Sequence, residues 1–192
     1  IQTAIYFPYF ISWIILSGVL VDILSPSNGL VNDLVKFFGG DPIYFLGDNR
    51  YFQGTLVVSD VWRNFGYNSV VYLAAITGID MALYEAASID GANRWQQTLH
   101  VTLPGMATIV ILMVILNLGN LLNAGFDQVF NLYGPGVYES GDIIDTMVYR
   151  MGLEQAKFGP STAVGLLKSV VSFVLISTAY LIAYKKFDYQ VF

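Results

Sequence analysis

Glu85-Ala86-Ala87-Ser88-Ile89-Asp90-Gly91-Ala92, closed by Val101-Thr102-Leu103-Pro104, is a polar, small-residue segment set between two strongly apolar runs. Its spacing is Glu-Ala-Ala, three residues, Gly, nine residues, Val, one residue, Leu-Pro. Met81 to Ala87 favours helix, and Asp80 stands where an N-cap is needed. Gly91 permits a backbone turn closed to other residues, with a second helical run expected over Ala92 to His100. Pro104 suits the first turn of the apolar segment that follows, where a missing N–H costs nothing. Ala86 and Ala87 expose almost no side-chain bulk, so another protein can approach the backbone closely. Glu85 offers it one fixed negative charge. Glu-Ala-Ala alone is an ordinary solvated helix sequence; the complete spacing between two membrane-length runs is far more specific.

The flanking sequence explains why such a surface is needed. The 192 residues are 55% hydrophobic and 12% charged, against about 25% charge in a typical globular domain. A chain so short of charge cannot cover a water-facing surface, and a lipid bilayer becomes its solvent. Four apolar stretches reach the length of about 20 residues that a spanning helix needs. They cover residues 4–21, 53–79, 105–126 and 161–184, with Pro8 expected to kink the first near its start. The expected fold is an all-α polytopic membrane protein, a single transmembrane domain over residues 1–192. Four transmembrane helices surround a hairpin at 80–104. The chain opens Ile1-Gln2-Thr3 with no Met or charged leader region, which reads as a chain missing upstream sequence and not as a signal peptide.

The connectors carry further elements. Leu30 to Phe38 places apolar residues at helical spacing and predicts a short helix able to lie on a membrane surface. Asp142 to Leu153 predicts another short amphipathic helix, and Gly134-Pro135-Gly136 and Gly159-Pro160 predict turns. Four crossings put the Glu85 hairpin and Lys185-Lys186 on one side and both long connectors on the other. Basic residues do not decide which side is cytoplasmic, although the rule favours the side with the short loop.

Within the spans, Asp60, Arg63, Asn64, Tyr67 and Asn68 fall in an arc of roughly 140° on one helix face. Asp60 and Arg63, one turn apart, are placed to form an ion pair. Two readings of this stripe stand: hydrogen-bonded glue between helices, or a translocation path lined with hydroxyl-binding groups. Asn117, Asn120 and Asn123 drift around their helix, and packing suits them better than a path. Lys168, close to the start of the fourth span, is expected to snorkel to the interface.

Several chemistries are excluded. A net charge of -5 gives no basic patch for nucleic acid, and no cysteine means no disulfide framework or thiolate metal site. There is no phosphate-cradling glycine loop with its Lys, no His-Glu-x-x-His and no nucleophile elbow. His100 is the sole histidine. No catalytic residue, metal site or cofactor is expected, and covalent chemistry belongs elsewhere.

The hairpin resembles the signature of the permease subunit of binding-protein-dependent ABC importers: Glu-Ala-Ala, three residues, Gly, nine residues, Ile, one residue, Leu-Pro. The match falls on Glu85, Ala86, Ala87, Gly91, Leu103 and Pro104, with Val101 replacing Ile by another β-branched residue. Asp90-Gly91-Ala92, Phe7 to Trp13 and Phe130-Asn131-Leu132-Tyr133 resemble the carbohydrate and polysaccharide branch.

The resemblance implies that this chain is the last four of about six spans in a prokaryotic cell-membrane permease. It implies that Glu85, Ala86, Ala87, Asp90, Gly91, Leu103 and Pro104 couple to separate cytoplasmic ATP-binding subunits. A second, related permease subunit, an extracytoplasmic solute-binding protein and a carbohydrate substrate complete the implied system. Asp60, Asn64, Tyr67, Asn68, Asn117 and Asn120 become candidates for the translocation path. A permease of the same architecture for a non-sugar solute, or an ion-coupled secondary transporter resting on Asp60 and Arg63, remain alternatives.

Overall fold

The structure is a computed structural model that describes residues 5–187 of the chain, and all its regular elements are helical. Ala4, the expected start of the first span, lies outside the described residues. The chain divides into two units, one of Ile1–Gly66 with Leu122–Ser169 and one of Tyr67–Leu121 with Val170–Phe192.

In the first unit, the first apolar stretch is broken. A 3-10 turn at Phe7–Phe10 ends where Ile11 turns extended, and Ser12 restarts the chain as helix α1, Trp13–Leu24, its hydroxyl accepting from the Ile15 N–H at 3.4 Å. The interruption is thus a stop and restart at Ile11 and Ser12, beyond Pro8, and not a kink at Pro8. Twelve residues of α1 reach about 18 Å, short of a hydrocarbon core about 30 Å thick.

Helix α2, Leu30–Phe37, forms as the apolar spacing predicts and holds Asn32 fully buried. Asn32 brackets its connector. Its Nδ2 donates to the carbonyls of Leu24, Ser25 and Ile43 at 3.0–3.1 Å, and its Oδ1 accepts from the Ile43 N–H at 2.7 Å.

Helix α3, Asn49–Thr77, begins at Asp48, whose carboxylate accepts from the Arg50 N–H, and its 29 residues exceed the expected span at the N-terminal side. Across residues 78–80 the chain bends by 66° into helix α4, Met81–Ile89. The return run, Arg94–Gln97 (α5), continues through a π turn at Thr98–Thr102 and Leu103–Gly105, then bends by 58° into α6, Ala107–Gly119.

Two boundaries differ from the sequence expectation. Pro104 sits near the end of the run entering the third apolar segment, not in that segment's first turn, and the bend follows it at Met106. The Leu103 N–H reaches back to the Thr98 carbonyl, and this π turn lies where Pro104 offers no donor to the preceding turn. The third helix also ends at Gly119, seven residues before Phe126. Leu121–Asn123 tightens to 3-10, and Gly125 at φ 66° starts α7, Phe126–Leu132.

Next come Pro135–Val137, Tyr138–Gly141 and α8, Ile144–Tyr149, which widens into a π turn at Arg150–Glu154. Helix α9, Phe158–Phe187, absorbs Gly159-Pro160 into its first turn, where proline has no hydrogen bond to lose. The expected turn there is thus a helix start. By length and composition α9 alone can cross a membrane unaided, and up to three spans result if each bent pair counts as one.

The first unit packs Phe52, Leu132 and Val137 together, with Leu20, Leu46, Leu56 and Tyr133 around them. Gln128, also buried, donates from α7 to the Leu56 carbonyl at 2.8 Å and to the Ser59 hydroxyl at 2.9 Å. At Gly66 the Ile5 carbonyl comes so close that a Cβ would meet its oxygen at 2.2 Å. Only glycine lets the two backbones approach that far.

Candidate functional site: an exposed hairpin and a polar helix face

The hairpin of the second unit is closed by bonds among its own residues. Asp80 caps α4, its carboxylate accepting from the Ala82 N–H at 2.9 Å. The helix ends in a Schellman arrangement: the Ala92 N–H returns to the Ala87 carbonyl at 2.9 Å and the Gly91 N–H to Ser88 at 3.1 Å. This demands a left-handed residue, and Gly91 supplies it at φ 79°. The glycine of the spacing is therefore the helix stop.

Asn93 then opens α5 with a capping box, exchanging bonds with Gln96 at 2.8 and 2.9 Å. Gln97 ties the two arms by donating to the Ser88 hydroxyl at 2.9 Å and the Ala92 carbonyl at 3.1 Å. Further back, the Tyr84 and Thr102 hydroxyls meet at 2.9 Å. His100 sets its Nδ1 at 3.0 Å from the Gln96 carbonyl, a structural role within its own helix.

What the hairpin leaves uncovered matters more. Glu85 and Ala86 are exposed, and Glu85 makes no hydrogen bond or ion pair among the described residues. Ile89 and Trp95, flanking the turn, are 87% and 74% exposed. A cleft of about 280 Å³ opens between the arms, lined by Ala87, Asp90, Gly91, Ala92, Gln96, His100 and Val101. An unpaired carboxylate, two bare apolar side chains and a small cleft together make a surface suited to another protein. Of the predicted residues, Ala87, Asp90 and Gly91 line the cleft, while Glu85 and Ala86 lie on the exposed helix before it. Leu103 is half exposed and Pro104 ends the return arm.

The polar face of α3 is arranged otherwise than expected. Asp60 and Arg63 form no ion pair: the Asp60 carboxylate accepts from the Asn64 Nδ2 at 2.7 Å. Arg63 turns instead to the broken first segment. Its Nε donates to the Ile11 carbonyl at 3.2 Å, and its Nη2 donates to the carbonyls of Tyr9 and Ile11 at 3.1 Å. The rings of Tyr9 and Trp13 stand 5.4 and 5.0 Å from the guanidinium. Breaking the helix at Ile11 and Ser12 frees main-chain carbonyls, and the guanidinium takes those acceptors in place of a close pair with Asp60. Nothing in the spacing of Asp60 and Arg63 announces a distant helix break.

Asp60, Arg63 and Asn64 are thus brought together in the first unit. Tyr67 and Asn68 continue along α3 with exposed side chains. Asn117 and Asn120 turn back on their own helix, donating to the Met113 carbonyl at 2.7 Å and the Leu116 carbonyl at 3.5 Å.

Two ion pairs were not foreseen. Lys168, expected to reach the interface, pairs with Asp145 of α8, on the connector before its span. Arg150 pairs with Asp142 and lies 4.8 Å from the Tyr138 ring. Partial burial pushes the Asp142 carboxyl up, but the bonds from Arg150 and Thr146 and the guanidinium charge outweigh it. The net result is a carboxyl below its ordinary range. Burial, the largest influence on Tyr133 nearby, raises its phenol.

The pattern of the family described as binding-protein-dependent transport system inner membrane component matches residues 1–188. The chain belongs to that family, whose members are membrane components of transport systems, not enzymes. It is similar to the polygalacturonan/rhamnogalacturonan transport system permease protein YteP of Bacillus subtilis (strain 168), 41% identical over 97% of this chain and 58% of the relative.

Among solved structures, it resembles a chain of a bacterial alginate ABC transporter in complex with an alginate pentasaccharide-bound periplasmic protein. The TM-score is 0.96 at 39% identity, over 99% of this chain and 66% of that one. A second structure, of a bacterial ABC transporter involved in the import of the acidic polysaccharide alginate, superposes with a TM-score of 0.94 at 39% identity, over 96% of this chain and 65% of that one. The chain spans 58% and 59% of the length of two curated relatives it matches, and 40% of a third.

Proposed function

We propose that this chain is the membrane-spanning part of a permease subunit in an ATP-driven importer of oligosaccharides bearing uronate carboxylates. The observation that carries the coupling half is the hairpin: Glu85 unpaired beside a cleft, with Ile89 and Trp95 bare on either side of a Gly91 turn. A membrane protein gains nothing from presenting these to water unless another protein covers them. ATP-binding subunits on the cytoplasmic side are that protein, so the hairpin and α9's C-terminal end face the cytoplasm. ATP is hydrolysed in those subunits and not here.

The cargo half rests on three matches at 39–41% identity, whose printed names refer to polygalacturonan, rhamnogalacturonan and alginate. Relatives at 26–31% identity include ones named for galactooligosaccharides and lactose. On this reading the four spans lie near residues 4–21, 53–79, 105–126 and 161–184 in a prokaryotic cell membrane. Each bent helix pair completes its crossing with the short segments beside it. Asp60, Asn64, Tyr67, Asn68, Asn117 and Asn120 face the cargo's path, a second related permease subunit closes that path, and a solute-binding protein delivers the sugar from outside.

The test is reconstitution of the complete transporter in proteoliposomes with tri-galacturonate as cargo. Uptake is expected to require ATP and to fall to background in Glu85→Lys, with the variant still inserted in the membrane. Uptake that follows an ion gradient without ATP, or that survives Glu85→Lys unchanged, sinks the reading.

A further inference from the structure

Among the described residues, three cations are held by carboxylates: Lys36 by Asp33, Arg150 by Asp142 and Lys168 by Asp145. Arg63 stands apart. It lies ten residues into the second apolar stretch, about 15 Å along the helix and close to mid-depth of the hydrocarbon. A charge at that depth is costly, is retained where it faces protein or a water-filled path, and pairs with another charge or with backbone carbonyls.

Here backbone carbonyls are its partners. The carbonyls of Tyr9 and Ile11 take its Nε and Nη2. The Tyr9 and Trp13 rings lie against it. These contacts fix the plane of the group, and the Asp60 charge acts on it only from beyond ion-pair distance. Its Nη1 is left with one long bond, 3.4 Å to the Asn64 amide oxygen, and so keeps donor capacity. Asp60, the nearest acid along the helix face, is occupied by the Asn64 amide.

We propose that Arg63 is the specificity-determining residue for the acidic cargo, its Nη1 edge donating to a uronate carboxylate as the sugar passes. The broken helix before it is the device that orients the guanidinium: main-chain carbonyls hold two of its nitrogens so that the third faces the path. A planar, permanently charged donor set suits a carboxylate better than an ammonium does. This rests on the acidic-carbohydrate reading above.

The experiment compares uptake of tri-galacturonate and of its methyl ester by wild type, Arg63→Gln and Arg63→Lys in reconstituted transporter. All three use the same binding protein, so its own preference cancels between variant and wild type. Arg63→Gln is expected to lower the acid-to-ester uptake ratio by about tenfold, the scale of one charge-assisted hydrogen bond. Arg63→Lys, which keeps the charge but loses the planar fork, is expected to fall between. If Arg63→Gln slows both probes equally, or leaves the ratio unchanged, Arg63 is a brace for the helix break and the assignment is overturned. If wild type takes up neither probe with ATP, the cargo reading fails and this assignment falls with it. Recovery of each variant as an intact complex separates selectivity from misfolding.

Discussion

Two polar connectors flank α3, and they are built on opposite plans. The hairpin after it exposes its distinctive side chains and ties itself with bonds between residues at most eighteen positions apart. The connector before it buries Asn32, uses that one amide to hold four main-chain groups, and leads into Asn49, which bonds Ser140, 91 residues away. One surface is free to be covered by another protein. The other is an internal fastener of the first unit. Sequence spacing identifies the first kind because capping and left-handed glycine follow local rules, and overlooks the second because no such rule assigns Asn32 to main-chain groups 7 to 11 positions away or Asn49 to Ser140.

The largest effect on this contrast is expected at Gly91. Its left-handed conformation closes α4, and an alanine there costs about 1–2 kcal/mol of local conformation. Proline, fixed near φ -65°, cannot adopt it at all. Gly91→Pro is expected to abolish ATP-driven uptake and stimulation of ATP hydrolysis by cargo, with Gly91→Ala impaired but active. Insertion and thermal stability of the first unit should stay as in wild type. Equal uptake by Gly91→Pro and wild type would show that the turn geometry is irrelevant to coupling.

Asn32 is expected to behave in reverse. Asn32→Ala strands the Ile43 N–H and three carbonyls in a buried position, and unsatisfied buried groups cost about 1–3 kcal/mol each when water cannot reach them. Relaxation will recover part of this, leaving a loss of about 2–4 kcal/mol. Thermal unfolding of the purified complex should show it, while transport per folded complex is unchanged. A stable but uncoupled Asn32→Ala would erase the distinction between the two connectors.

The same distinction explains what could be read beforehand. The N-cap at Asp80, the turn at Gly91 and helix α2 were legible because capping, left-handed glycine and apolar periodicity act within a few residues. The Asp60–Arg63 pair was misjudged because the spacing is right, yet a helix break fifty positions earlier supplies the acceptors that the guanidinium takes. The partner of Lys168 was not legible because Asp145 lies 23 positions away, on a helix whose placement no local rule gives. The third helix ends at Gly119, where the uninterrupted hydropathy had suggested it would continue to Phe126. Leu121 and Leu122 keep the stretch apolar, while Gly119, Asn120, Asn123 and Gly125 disfavour helix.

The smallest expected effect lies at the Asp142–Arg150 pair, an internal fastener near the surface. The Asp142 carboxyl is held below its ordinary value in the folded protein. Its contribution is therefore fully present above the unfolded carboxyl value of about 3.9 and is lost as pH falls through the lower folded value. At pH 7 Asp142→Asn should destabilise the complex by about 1 kcal/mol, modest because both side chains are partly solvated. That difference from wild type should shrink below about pH 4 and vanish when the native carboxyl is protonated. A deficit that instead grows on acidification would mean that the pair does not hold the carboxyl down. Asp142 would then belong with Glu85, a carboxylate that no ion pair among the described residues holds.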